Sequence, residues 1–230
     1  MQEKLKSEGL CLFCGKTFAK AGINRHLAKC LEEKIKLGKA GKSFFVKVET
    51  NKRWGSTPYF LSLWVDGEAK MGDIDSFLRA IWLECCGHMS AFRYENGEVP
   101  KSRKVKAALY SGLVLDYEYD FGSSTELTIT VIDEYPVKAD KKIVLLSRNE
   151  PPEIMCSICK KAPATQICSV CMYDEDAIFC DKCAKKHAKN CEDFADYASM
   201  PVVNSPRMGV CAYEGGTIDT ERDGVFVMNK

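Results

Sequence analysis

The hydrophobic and polar positions between residues 43 and 150 follow the pattern of a mixed α and β domain. Short runs rich in β-branched and aromatic residues alternate with polar stretches, which is typical of strands. The stretch Met71–Glu84 differs, because its apolar residues recur at three- and four-residue steps and predict an amphipathic helix, with Asp73 placed to cap it. The strands are expected at Phe44–Glu49, Tyr59–Val65, Ser90–Tyr94, Ala107–Val114, Leu127–Asp133 and Ile143–Ser147. Since strands outnumber helices, we expect an α+β fold with a central mixed or antiparallel sheet and packed helices.

Two breaks in this pattern divide the chain into three parts. Leu37–Lys42 contains two glycines that end a helical pattern, and two adjacent prolines within Asn149–Glu153 stop the last predicted strand. We therefore expect an N-terminal module at residues 1–42, the α+β domain at residues 43–150, and a C-terminal module with a tail at residues 151–230.

The composition is that of an ordinary globular protein, with 46% hydrophobic and 28% charged residues. No apolar run approaches the roughly 18 residues of a membrane span, and residues 1–10 lack the apolar stretch of a secretory signal. These features predict a cytoplasmic protein without a membrane partner. The net charge of +1 hides a basic N-terminal module, which carries ten Lys and Arg against four Asp and Glu.

The thirteen cysteines are the unusual feature of the composition. Ten of them are separated by two residues from another cysteine or by three residues from a histidine, and thiolates so spaced make poor disulfides and good metal ligands. In the N-terminal module, Cys11, Cys14, His26 and Cys30 form such a set. A hairpin turn would present the first pair and one helical turn the second, which supplies the four ligands of a tetrahedral zinc ion. The alternative is that these are ordinary buried cysteines.

The N-terminal module resembles a single ββα zinc finger whose last histidine is replaced by Cys30. A basic face is formed by Lys16, Lys20, Arg25 and Lys29, and such charge is where affinity for nucleic acid begins. Base reading usually takes several fingers in tandem, however, so a lone finger is more often a structural or protein-contact module. Nucleic acid is therefore a second candidate partner, after protein.

The C-terminal module carries eight further candidate ligands within 36 residues. They are Cys156, Cys159, Cys168, Cys171, Cys180, Cys183, His187 and Cys191. Eight ligands make two tetrahedral sets, and metal would supply the folding energy that so short a stretch lacks. Sequential pairing would join the first two cysteine pairs, whereas interleaved pairing would join the first pair with the third. The eight-residue gaps between the pairs are short, which favours interleaving.

This C-terminal segment, with Phe179–Ala184 followed by His187, resembles the B-box class of cross-braced zinc domains. The resemblance implies protein contacts rather than catalysis. A catalytic zinc ion keeps one position open, and two full sets of four ligands leave none. Together the two modules predict three structural zinc ions.

Residues 43–150 resemble the plasmid Ri ORF-three-like family. The resemblance rests on Asp73–Arg79, on Ile81–His88 and on Tyr117–Ser123. Many relatives carry Tyr-Asp-Phe-Gly-Asp-x-Trp at the last of these places, whereas this chain reads Tyr-Asp-Phe-Gly-Ser-Ser-Thr from Tyr119 and lacks the acid and the tryptophan. A subset of the family looks similar over the whole chain, including the tail at Pro201–Gly209. The family implies an α+β domain, sometimes linked to plasmids and mobile elements, and no established reaction.

Three carboxylates form one candidate active group. Asp116, Glu118 and Asp120 alternate along the chain and would share one face of a strand. There they would bind a divalent cation or, by default, be solvated.

A second group lies at the end of the predicted helix. Packing of buried cysteines is the favoured interpretation of Cys85 and Cys86. One alternative is a nucleophile formed with His88, although the sequence supplies no third group to orient it. The other is a fourth metal site completed by Cys211.

The high-specificity motifs of this chain are all closed metal sites, and the sequence therefore favours a zinc-binding adaptor without enzymatic activity. A protein partner is expected, and nucleic acid would be contacted through the basic N-terminal face. The alternative is a nucleic-acid-processing enzyme of plasmid or mobile-element type. Such an enzyme would use the carboxylate face or the Cys86 and His88 group.

Overall fold

The computed structural model describes residues 7–51, 57–94, 97–173 and 177–224. They divide into two units. The sheet unit consists of residues 7–79 and 88–150, and the cysteine unit consists of residues 80–87 together with the chain from residue 151 onward. No helix in these described ranges is long and apolar enough to cross a membrane.

The sheet unit is built on a seven-stranded antiparallel sheet. A hairpin of β1 (Glu8–Leu10) and β2 (Thr17–Ala19) leads into α1 (Lys20–Leu37). The sheet contains β3 (Ala40–Thr50), β4 (Phe60–Asp66), β5 (Ser90–Tyr94), β6 (Gly97–Val99), β7 (Val114–Tyr119), β8 (Thr125–Val137) and β9 (Ile143–Arg148). Its strand order is β6-β5-β7-β8-β3-β4-β9, and each neighbouring pair is antiparallel. With α2 (Met71–Leu78) and α3 (Val105–Ala108) added, the α+β fold is confirmed.

Five of the six predicted strands are present, with shifted bounds in most cases. The strand predicted at Ala107–Val114 is wrong. The chain there ends α3 and makes a turn in which Gly112 has a φ of +85°, before β7 begins at Val114. Leu109 and Leu113, which suggested a strand, are buried separately on either side of that turn.

Helix α1 packs on the sheet through one apolar face. Its buried residues Ile23, Leu27 and Leu31 recur at four-residue steps. They share one core cluster with sheet residues Phe45, Phe60, Trp64 and Leu146. Because each buried side chain of this size contributes about 1.5–3 kcal/mol, an apolar core holds α1 to the sheet whether or not a metal ion is bound.

Helix α2 begins at Met71, as predicted, and Asp73 helps to cap it from the third helical position. The Asp73 carboxylate accepts a hydrogen bond from the backbone N–H of Lys70 at 2.8 Å. Beyond α2 the chain continues as a π-helical turn at Arg79–Leu83. The predicted helix is therefore α-helical in its first half and π-helical in its second half.

The cysteine unit has a small core. Its sheet consists of β10 (Gln166–Cys168) flanked by β11 (Ile178–Phe179) and β12 (Ser199–Pro201), and α4 (Asp181–His187) follows β11. The core around the cysteines adds to them only alanines and the two rings of Phe179 and Phe194 as fully buried apolar residues. A second cluster is formed by Ala164, Ile167, Met200 and Val202. The apolar core immediately around the cysteines is therefore small and contributes little stability by itself.

Candidate metal centres

The N-terminal centre joins a tight turn to a helix. The turn is closed by the hydrogen bond from the Gly15 N–H to the Cys11 carbonyl at 2.8 Å, and Gly15 has a φ of +70°, which glycine adopts without strain. His26 and Cys30 lie one turn apart on α1. The Nε2 atom of His26 is 3.2 Å from Cys14 Sγ and 3.3 Å from Cys30 Sγ, and the sulfurs of Cys11 and Cys30 are 4.0 Å apart. The structure thus brings together all four residues that the sequence predicted for this site.

The surroundings of this centre fix its ligands. Cys11 is fully buried in the core cluster beneath α1. The ring of Phe18 stacks on the His26 imidazole with 3.9 Å between their centroids, which orients the histidine. Burial, together with the neighbouring thiols of Cys11 and Cys14, raises the pKa of Cys30 to about 11. Thiolates packed this closely repel one another, and a bound cation removes that repulsion.

The eight C-terminal residues form two centres, and the grouping is interleaved. Cys156 and Cys159 converge with Cys180 and Cys183, and their four sulfurs lie within 4.8 Å of one another. The second group, with the same limit on its ligand-atom distances, is Cys168, Cys171, His187 and Cys191. Sulfur pairs that connect distant parts of the chain, Cys159 with Cys180 and Cys171 with Cys191, are 3.8 Å apart. Sequential pairing is not the grouping that the structure has.

Backbone amides support the sulfurs of both C-terminal centres. The N–H of Cys171 donates to Cys168 Sγ and the N–H of Phe194 donates to Cys191 Sγ, each at 3.4 Å. Burial raises the pKa of the Cys156 thiol, but backbone N–H groups, including that of Cys159, outweigh it and lower the pKa to about 6. Such amides stabilise a thiolate and therefore a metal-bound sulfur.

His187 lies between two aromatic rings. It stacks on Phe179 with 4.4 Å between centroids and meets Phe194 edge-on at 4.9 Å. Its Nε2 atom is buried and has no hydrogen-bond partner among the described residues. An unsatisfied buried nitrogen costs about 1–3 kcal/mol, and coordination to a metal ion would remove that cost.

The distances between ligand atoms can be compared with those around a tetrahedral ion. Sulfurs bound at about 2.3 Å lie about 3.8 Å apart at the corners of a tetrahedron, and a sulfur and an imidazole nitrogen lie about 3.6 Å apart. The measured sulfur–sulfur separations of 3.8 and 4.0 Å and sulfur–nitrogen separations of 3.2 and 3.3 Å are close to these values. The three groups therefore have the donor types and the spacing to bind metal.

The predicted basic face of the N-terminal module is only partly available. Lys20 is occupied, because its Nζ lies 3.0 Å from Glu49 Oε1 and 3.0 Å from the Thr57 carbonyl. Lys16, Arg25 and Lys29 are exposed. Within the described ranges, no ion pair involves Arg25 or Lys29.

The carboxylate row is interrupted. Asp116 is exposed and Glu118 half-buried on β7, but the strand ends at Tyr119, and Asp120 is buried with a φ of +64°. The expectation that all three share one strand face is therefore wrong for Asp120. Glu118 pairs with Arg93 and accepts the Ser124 hydroxyl at 2.6 Å, which lowers its pKa despite partial burial. In the described residues, the groups that converge to metal-binding distance contain no carboxylate.

The cysteines after α2 are not packed in a core. Cys86 is exposed and Cys85 is half-buried, so the expected burial of this pair is wrong.

His88, two positions after Cys86, lies in the sheet unit. Its Nε2 atom is 3.5 Å from Asp120 Oδ2, and the imidazole meets the ring of Tyr119 edge-on. Asp120 is thus an orienting group for His88 that the sequence analysis did not identify.

A buried carboxylate network was also missed. Asp75 is buried in the sheet unit, and its Oδ1 atom accepts the hydroxyl of Ser90 at 2.6 Å and that of Tyr117 at 2.9 Å, with Lys101 Nζ at 3.0 Å. Burial, reinforced by the Asp75 charge, raises the pKa of Tyr117. A signal was present, because Asp75 shares the helical spacing of the buried residues Met71, Ile74 and Leu78. An acid on the core face of a helix requires partners.

Comparison with known proteins adds little to this geometry. No protein-family model and no curated protein matches the chain. Among solved structures, a protein of unknown function from Methanosarcina mazei Go1 aligns over 47% of this chain and 68% of that chain, with 15% sequence identity and a TM-score of 0.36. A likeness this weak carries no argument about fold or function.

Proposed function

We propose that this protein is a zinc-binding adaptor that contacts a partner protein through its C-terminal cysteine module. Three zinc ions would be held by the N-terminal centre and the two interleaved C-terminal centres, each with four ligands and no open position. Thiolate and imidazole donors in sets of four suit zinc. Closed centres support a structural role, because a catalytic zinc ion keeps one position for water or substrate.

The observation that carries the adaptor proposal is the exposure of large apolar residues on the cysteine turns. Ile158, between Cys156 and Cys159, is 65% exposed, and Tyr173, two residues after Cys171, is 74% exposed. Apolar side chains on turns that a metal would hold rigid are oriented in advance for contact with a partner, which reduces the entropy lost on binding. This agrees with the resemblance of the module to B-box domains.

The test is to compare partners of the wild-type chain with those of a double variant, Ile158→Asp with Tyr173→Asp. Both would be expressed at native level in the source organism and purified under reducing conditions. A matched control is Tyr110→Asp, which replaces a residue of the sheet unit that is 60% exposed. We expect a stoichiometric partner with the wild type and the control that the double variant loses while its zinc content stays unchanged. The same proteins bound to all three would overturn the proposal.

Nucleic acid is a second candidate partner, and the exposed side chains of Arg25 and Lys29 favour it. They lie on the part of α1 that faces away from its buried apolar residues, and phosphate contacts require such accessible cations. The double variant Arg25→Glu with Lys29→Glu should elute from a nucleic-acid column at lower salt than wild type. A variant with the same charge change elsewhere, Lys138→Glu with Lys141→Glu, is the control. Equal elution of the two variants would mean that this face has no specific role.

The resemblance of residues 43–150 to the plasmid Ri ORF-three-like family is retained as part of this proposal. Two of its three motifs lie on defined elements of the sheet unit: Asp73–Arg79 lies in α2 and ends at its C-cap, and Tyr117–Ser123 spans the end of β7. The family supplies no reaction, so the α+β domain is proposed as the scaffold of the adaptor.

A further inference from the structure

The three proposed centres leave a small remainder of metal-binding residues. They use ten of the thirteen cysteines and two of the three histidines of the chain. The remaining cysteines are Cys85, Cys86 and Cys211, and all three lie in the cysteine unit. The remaining histidine, His88, follows Cys86 by two positions.

These three cysteines converge although Cys211 is far from the others in the chain. The Sγ atom of Cys86 lies 3.5 Å from that of Cys211 and 3.7 Å from that of Cys85, and the three sulfurs lie within 4.8 Å of one another. The separations are close to the roughly 3.8 Å expected for sulfurs around one tetrahedral ion. A disulfide would need only two of them, and the third sulfur would then have no role.

The tail is fixed to the 80–87 segment on both sides of Cys211. Before it, the Ser205 hydroxyl donates to the Trp82 carbonyl at 2.7 Å, and after it, the Thr217 N–H donates to the Ala80 carbonyl at 2.7 Å. Gly216 lies so close that a Cβ atom there would be 2.6 Å from the carbonyl oxygen of Ile81. The position of Cys211 beside Cys86 is therefore determined by contacts that involve no sulfur.

The backbone at Cys211 is held in an unusual conformation. Cys211 has a φ of +50° and Ala212 a φ of +53°, a region that side chains other than glycine occupy at a cost of about 1 kcal/mol or more. Such strain persists where the surrounding structure imposes it, and here it accompanies the approach of the Cys211 sulfur to the other two.

Arg207 supplies a positive charge at this cluster. Its side chain is fully buried, and its Nη2 atom donates to Cys85 Sγ at 3.5 Å. Three thiolates around a divalent ion carry a net charge of −1, so a guanidinium at one sulfur lowers the cost of that charge.

We propose that Cys85, Cys86 and Cys211 bind a fourth metal ion of the zinc class through their three sulfurs. All three ligands lie in the cysteine unit, and the contacts of the tail with the 80–87 segment hold them together.

This fourth centre is the most accessible of the four. Each of the other centres has at least one buried cysteine, whereas Cys86 and Cys211 are exposed and Cys85 is half-buried. Solvent and competing ligands therefore reach its ion most easily. The fourth ion is the first to leave under chelation, and the site suits an exchangeable ion rather than one that holds a fold together.

The test is elemental analysis and native mass spectrometry of the full chain, purified under reducing conditions with limiting zinc and then titrated. We expect four equivalents in the wild type, the fourth removed by a mild chelator before the others. Cys211→Ser should bind three, and Cys211→His should recover the fourth.

The fourth ion is measured as the difference in metal content between the wild type and Cys211→Ser. This result therefore does not depend on the adaptor proposal. Loading the protein with cobalt gives an independent measurement, because sulfur-to-metal charge-transfer absorption should fall in Cys211→Ser and the other centres should be unaffected. Equal metal content in the wild type and Cys211→Ser would overturn the proposal. A Cys86–Cys211 disulfide in protein kept reduced throughout would also overturn it.

Discussion

Gly9 lies so close to Phe60 that a Cβ atom on Gly9 would be 2.6 Å from Cζ of that ring. Gly9 belongs to β1 and bridges to Asn149 just after β9, so the first hairpin is pressed against the large sheet. The contact couples the strand that precedes the N-terminal centre to the core of the sheet unit.

Replacing Gly9 by alanine should therefore destabilise the sheet unit by about 1–3 kcal/mol, because the added methyl group overpacks this contact. Denaturant unfolding of the metal-loaded chain measures the change. Gly22→Ala is the matched control: Gly22 is exposed on α1 with nothing within 4 Å of an added Cβ, so alanine there should be neutral or stabilise by up to about 1 kcal/mol. Equal effects of the two substitutions would contradict the packing described.

The interleaved grouping predicts how metal is lost in paired variants. Cys156 and Cys180 belong to one centre, so replacing both by serine should remove one ion. Cys156 and Cys168 belong to different centres, and replacing both should remove two. Elemental analysis distinguishes the outcomes, and sequential pairing would give the reverse result.

Metal removal should act unequally on the two units. Chelation should unfold the segment around the cysteines and α4, because the cluster at the cysteines adds only alanines and two phenylalanines to them, and proteolysis there should accelerate by about tenfold or more. The large sheet should stay protected, since its core is formed mainly by large apolar side chains such as Phe45, Phe60 and Trp64. Limited proteolysis with mapped cleavage sites is the measurement. Continued protection of the C-terminal segment after complete metal loss would show that metal is not its stabilising element.

The Asp75 network predicts unequal costs for its members. Tyr117→Phe removes one hydroxyl and should cost about 1 kcal/mol, whereas Asp75→Ala removes the shared acceptor and should cost about 3 kcal/mol. In the Asp75→Ala background, Tyr117→Phe should add little, because its partner is already absent. Denaturant unfolding of the four chains gives the coupling. Additive costs would mean that the Tyr117 hydroxyl is not tied to Asp75.

Glu49 gives the sheet unit a pH dependence of defined sign. Burial opposes ionisation, but hydrogen bonds from Lys47 and Lys20 outweigh it and lower the pKa of Glu49 below its ordinary value. A folded-state pKa below the unfolded value stabilises the fold above about pH 4.3 and loses that contribution as the pH falls through the folded pKa. Glu49→Gln should thus lose less stability than wild type on acidification below about pH 5. Acid-induced metal loss affects the wild type and Glu49→Gln equally. Parallel curves of unfolding free energy against pH would therefore contradict the pairing of Glu49 with Lys20 and Lys47.

The candidate ligands illustrate what a local pattern can predict. Cys11 with Cys14, and His26 with Cys30, are separated by so few residues that a turn or one helical turn determines their distance. The same holds for the pairs of the C-terminal module, and for this reason the composition of the metal-binding pairs could be predicted from spacing alone. The prediction of a strand at Ala107–Val114 was wrong for an equally local reason. Gly112, with its positive φ, places a turn within this apolar run.

Sequence by itself therefore determined the ligand pairs, the α+β class and the approximate positions of most strands, since these depend on neighbours within a few residues. Only the tertiary structure decided that Cys159 meets Cys180, that Asp75 is buried among two hydroxyls and a lysine, and that Cys211 approaches Cys85 and Cys86. The physical reason is the same in each case. Such contacts join residues far apart in the chain, and their geometry is set by the packing of whole elements rather than by the backbone between them.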